Sequence, residues 1–150
     1  MLKKAEINAI AARIIAAIPA VTEHYTVIDD NDFAAKRRDF NLTENQMALV
    51  FIRPSSSLRG ANLDALRRNH QLTLMVVQGY NRSRGYEEED RQVDLAIDIV
   101  RAIDQLVIQW DGTLDCPVKG FTAVGSIAEP LRDYHDTIGA TTTYLIRNNV

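Results

Sequence analysis

Residues Tyr86 to Ile108 carry the longest helical pattern in the chain, and its polar side is narrow. At about 100° per residue, Arg91, Asp94, Asp98, Arg101 and Gln105 fall on an arc of roughly 80°. An arc of roughly 240° carries Val93, Leu95, Ala96, Ile97, Ile99, Val100, Ala102, Ile103, Leu106 and Val107. One sheet covers only part of such a surface. The other flank is expected to meet either an N-terminal helix or a second subunit. Asp104 projects within the apolar arc, where burial would demand a partner or a raised pKa. A less covered helix end is the expected explanation, with an arginine of another subunit as the second choice.

The candidate for the second cover lies at the start of the chain. Ile7, Ile10, Ala11, Ile14, Ile15 and Ile18 recur at helical spacing over Lys3–Ile18, and Pro19 stops the pattern. Glu6, Asn8 and Arg13 interrupt any continuous apolar stretch, so the segment reads as a docked amphipathic helix and not as a leader. A membrane-adsorbed helix would want a more basic polar face.

Met47–Arg53 and Gln71–Gln78 read as two strong strands, antiparallel to each other, with Pro54 ending the first. The connector between them, about 54–70, is long for a compact domain, and such loops are often functional or flexible. Tyr25–Ile28 reads as a short strand, Asp29–Asp32 as a solvated turn or helix cap, and Lys36-Arg37-Arg38 as a basic loop. Gly120–Ala128 and Ala140–Arg147 read as two further strands joined by a polar connector, Glu129–Asp136. Antiparallel strands with helices on one face predict a two-layer α+β domain spanning residues 1–150, its mostly antiparallel sheet packed by the N-terminal helix and the long central one. A chain of 150 residues is long enough to bury a core without covalent staples, which suits its single cysteine, Cys116.

The residues that carry chemistry do not assemble into a familiar pattern. His24, His70 and His135 have no histidine or cysteine ligand partner at helical spacing, and Cys116 stands alone, so no zinc spacing is present. The Asp29–Asp32 run lacks the central glycine and distal glutamate of a calcium loop. No phosphate-binding glycine loop and no nucleophile elbow occurs. Asp94 and Asp98 sit at i and i+4, but Arg91 and Arg101 beside them make an exposed charge ladder the plainer reading. The net charge of −3 predicts no strong pull toward nucleic acid or acidic lipid, and the basic groups lack the aromatic interleaving of a single-strand binder. No enzyme and no cofactor is expected.

A layout remains: an N-terminal helix, strands around Ala48–Ile52 and Leu72–Val77 with a long loop between them, and a long helix at Glu87–Val107. It closes on Gly120-Phe-Thr-Ala-Val-Gly-Ser-Ile-Ala-Glu-Pro-Leu, a polar connector, and Ala140-Thr-Thr-Thr-Tyr-Leu-Ile-Arg. This layout resembles the tail terminator (tail completion) proteins of long-tailed bacteriophages, and lambda-like or Mu-like minor tail and neck proteins share it. The resemblance covers nearly the whole chain and is one of layout, without an invariant motif.

The resemblance implies a cofactor-free structural protein of the virion tail, assembled in the host cytoplasm. It would form a hexameric ring that caps the tail tube and meets the head–tail connector, with no membrane and no sequence-specific nucleic acid among its partners. A ring of this kind needs two different complementary patches on each subunit. Leu95, Ile99 and Leu106 on the second flank of the long helix are candidates for one patch, and Arg59, Arg67 and Arg68 in the long loop for the other. Packing against the N-terminal helix is the plainer reading for the first set, and solvated charge for the second. Two alternatives stay open: a head–tail adaptor or other minor tail protein, and a small ligand-binding or metal-dependent enzyme domain using Asp133, His135 and Asp136 with the Asp29–Asp32 turn.

Overall fold

The computed structural model describes residues 3–53, 70–81, 83, 85–118, 120–123 and 126–146. In chain order its elements are α1 (Lys4–Ala17), β1 (Val21–Val27), α2 (Asp30–Arg37), β2 (Met47–Ile52), β3 (His70–Gly79), α3 (Gly85–Trp110), β4 (Phe121–Thr122), β5 (Glu129–Tyr134) and β6 (Thr137–Ile146). The fold is α+β, built on a six-stranded sheet in the order β1-β2-β3-β6-β4, with β5 also paired to β6. All pairings are antiparallel except β1 with β2.

Each helix is bounded by local chemistry. The Glu6 carboxylate accepts from the Lys3 backbone N–H at 3.0 Å, which caps α1. At α2 the Asp29 carboxylate accepts from Asp32 N, while the Asp32 carboxylate accepts from Ile28 N. The acidic run is therefore a reciprocal cap, and it starts a helix that carries Lys36 and Arg37 in its last turn instead of a basic loop. Helix α3 ends where Gly112 adopts φ +72°, a backbone state that costs a side chain strain but leaves glycine free.

Most of the core lies on one face of the sheet. Ile7, Ile10, Ala11 and Ile14 of α1 and Val93, Ala96, Val100, Ile103 and Val107 of α3 are buried. Both helices meet Leu49 and Phe51 of β2, Leu74 and Val76 of β3, and Tyr144 of β6 in one cluster. The wide apolar arc of α3 is thus shared between the sheet and α1's cluster within a single chain. On the opposite face Phe33 of α2 sits among Val27, Val50, Met75 and Val77. This short helix adds a partial cover to a face that the two-layer expectation left open. Strand β2 is apolar at nearly every position because both of its faces are covered.

The sheet's far side departs from the expected elements. Among the described residues of the run Gly120–Ala128, only Phe121 and Thr122 form a strand, β4, and beyond it Ser126 N–H and Oγ both donate to the Ala123 carbonyl. The polar connector Glu129–Asp136 is strand β5 and a tight turn. Its exposed, charged side chains and Pro130 suit an edge strand, where a missing N–H and polar faces are tolerated. His135 (φ 49°) and Asp136 (φ 60°) both adopt the left-handed conformation that a two-residue hairpin turn requires. The predicted loop at about 54–70 lies outside the described residues apart from the backbone of His70.

Candidate functional site

The proposed interface residues of α3 divide by depth. Ile99 is 4% exposed and belongs to the chain's own core. Leu95 and Leu106 are half-buried and pack against that core from its margin. They are the members of the set that retain exposed surface. Arg59, Arg67 and Arg68 lie outside the described residues. Apolar side chains that the fold leaves in solvent are found at the helix ends and in the loops: Tyr86, Ile108, Leu114, Ile127 and Ile28.

Asp104 is only partly buried and has partners within its own chain. Its carboxylate accepts the hydroxyl of Tyr144, from the adjoining strand β6, at 2.6 Å, and Ser126 Oγ lies at 3.4 Å. The partner comes from 40 residues away in the same chain, and only the packing of α3 over β6 brings the two groups together. Burial first, and then this hydrogen bond to a carboxylate, push the Tyr144 phenol far above its ordinary pKa.

The Asp29–Asp32 turn and the Asp133–Asp136 turn, 104 residues apart in sequence, do meet. The Tyr134 hydroxyl donates to the Asp30 carboxylate, His135 Nε2 lies 3.7 Å from the same oxygen, and both rings pack on Phe33. This contact is an aromatic–carboxylate clasp that holds α2 to the β5–β6 hairpin. Among the described residues no group of three or more histidine, cysteine or acidic side chains is placed to hold a metal ion.

A polar cavity of about 340 Å³ opens beside this clasp, between the end of α2, the segment Phe40–Glu44 and the end of β3. Arg37 forms one wall. Its Nε donates to the Asp136 carbonyl at 3.1 Å, and its guanidinium carbon lies 5.3 Å from the centre of the Phe40 ring. Gly79 lets the guanidinium pass: a Cβ there would lie 2.5 Å from Nη2. Among the described residues no carboxylate forms an ion pair with Arg37. Gln78, only 5% exposed, ties the opposite wall together by donating from Nε2 to the carbonyls of Thr43 and Gln46, while its Oε1 has no partner among the described residues. Leu42 supplies an apolar surface and Glu44 an acidic rim.

Comparison of the chain with protein-family models, with curated proteins and with solved structures returns no match. None of the cavity residues was singled out as a site from the sequence. Arg37 was visible only as part of a basic run, and nothing local links it to Gly79, which is 42 positions away.

Neighbouring polar ties fix the start of α3. The Tyr80 hydroxyl donates to the buried Glu89 carboxylate, and Arg132 of β5 reaches Asp90 at 2.7 Å and Glu89 at 3.9 Å. Tyr80 also borders the cavity, so the cavity's rim is anchored to the long helix.

Proposed function

We propose that this chain is a structural tail protein of a long-tailed bacteriophage or prophage: a tail terminator that forms a ring on the tail tube and joins it to the head connector. The observation that carries this reading is the arrangement of elements. Helices α1 and α3 share one face of a mostly antiparallel sheet, β2 and β3 are antiparallel neighbours across the connector 53–69, and a hairpin closes the chain. The resemblance to tail terminators rests on part of that arrangement: the N-terminal helix, the two strands across a long connector and the long helix.

Physical features of the surface support an assembly role. The sheet has two unlike edges, the seven-residue β1 on one side and the interrupted β4 and β5 on the other. Unlike edges suit a head-to-tail ring, which requires two different patches on each subunit. The exposed apolar residues Ile108 and Leu114, both near the end of α3, and the half-buried Leu95 and Leu106 offer contact area without unfolding the core.

The test is the solution mass by light scattering over a concentration series, with purified tail tubes in a parallel sample. A hexameric ring, or specific capping of tube ends, is the expected result. A strict monomer that ignores tube ends overturns the reading.

A further inference from the structure

The cavity beside Arg37 has features that an interface or fold role leaves unexplained. A guanidinium is held half-buried without a carboxylate partner among the described residues, and three separate contacts fix its position: the Asp136 carbonyl, the Phe40 ring and the bare backbone of Gly79. With Nε engaged by a backbone carbonyl, Nη1 and Nη2 hold no hydrogen bond among the described residues. Two coplanar donors at a guanidinium end match the two oxygens of a carboxylate. The same cavity carries an apolar wall at Phe40 and Leu42. Its volume lies at the lower end of the range for small-molecule sites.

We propose that this cavity binds a small carboxylate whose hydrocarbon part lies against Phe40 and Leu42, with Arg37 as the anion-binding residue. A carboxylate fits better than a phosphate. Among the described residues Arg37 is the one cation that lines the cavity, and Glu44 at the rim would repel a doubly charged group more strongly than a singly charged one. The ordering of the guanidinium in advance lowers the entropy cost of binding. Either a free short-chain carboxylic acid or the carboxylate at the end of a peptide chain supplies this chemistry.

Titrations of the isotopically labelled full chain with isovalerate, with N-acetyl-alanyl-valine, with the amide of that peptide and with inorganic phosphate test the proposal. The expected result is saturable NMR shifts at Gly79, Tyr80 and Thr43 with one or both carboxylates. The peptide amide and phosphate should give none. Saturation by isovalerate and the peptide alike points to a free acid, and saturation by the peptide alone to a chain end. Gly79→Ala should displace the guanidinium, since the atom it meets is the far end of a flexible side chain, and weaken binding at least about tenfold with the fold retained. Arg37→Gln should do the same. Absence of saturable shifts, equal binding of phosphate, or unchanged affinity in a folded Gly79→Ala variant each overturns the proposal.

Discussion

The hydroxyl of Tyr144 donates to the carboxylate of Asp104 at 2.6 Å, and this bond pins the polar interruption of an otherwise apolar helix face to the central sheet. Tyr144 is almost fully buried, so its hydroxyl has been taken out of water and depends on this acceptor. Tyr144→Phe should cost about 1–2 kcal/mol, and Asp104→Ala about 1–3 kcal/mol because it leaves the phenol unpaired. A double-mutant cycle by urea denaturation should show coupling, and strictly additive losses would show that the bond contributes nothing to stability.

The same phenol gives a pH dependence. The pKa of Tyr144 is raised by burial and by the Asp104 carboxylate, and those of Tyr25 and Tyr134 are pushed up to about 12 by burial and by hydrogen bonds to Glu23 and Asp30. A folded state that holds its phenol protons more tightly than the unfolded chain keeps their full stabilisation below about pH 10, the ordinary tyrosine value, and loses it as pH rises through the folded values. The stability advantage of the parent over Tyr144→Phe should therefore be constant below about pH 10 and shrink above it. An advantage that grows in alkali would contradict the sign of the shift.

Depth on α3 predicts a graded response. Ile99→Ala removes a side chain from the closed core and should cost about 2–4 kcal/mol, whereas Leu95→Ala, at a half-exposed margin, should cost about 1 kcal/mol. Equal losses in chemical denaturation would mean that the margin is as tightly packed as the centre. In the ring reading, Leu95→Glu should leave the monomer folded and impair assembly, while Ile99→Glu should unfold it.

Two glycines in the sheet should behave oppositely. A Cβ on Gly139 would lie 1.9 Å from the Val76 carbonyl oxygen, and that atom belongs to the β3 backbone. It cannot swing away, so Gly139→Ala should part the β3–β6 pairing at a cost of about 3 kcal/mol or prevent folding. Gly79→Ala meets only the tip of Arg37 and should lower the thermal midpoint little. Comparable midpoints for the two variants would contradict this distinction.

The β5–β6 turn holds two non-glycine residues at positive φ. Asp136→Gly relieves one of them while keeping the carbonyl that accepts from Arg37 and Tyr80. The substitution should stabilise the protein by about 0.5–1 kcal/mol, read as an increase in the urea midpoint. A decrease would show that the Asp136 side chain contributes more than its strained backbone costs.

The elements set by local periodicity lie close to where the sequence places them. The long helix was expected at 86–108 and spans 85–110, the N-terminal helix was expected at 3–18 and spans 4–17, and the two central strands agree within about two residues. The sequence expectation differs at the edge because the two apolar residues of β5 that pack inward, Leu131 and Tyr134, stand three positions apart across a register shift, so no period-two alternation shows, and the polar residues and proline imitate a loop. The arginines expected at an interface, Arg59, Arg67 and Arg68, fall outside the described residues.

The sequence by itself determined helix spacing, the cap at Asp29 and the apolar character of β2 and β3. Each of these depends on residues within a few positions of one another. Tertiary structure alone decided that β1 runs parallel to β2, that Tyr144 answers Asp104, and that Gly79 makes room for Arg37. Those pairings depend on strand register and on how helices settle over the sheet, and a shift of one residue would turn every side chain to the other face.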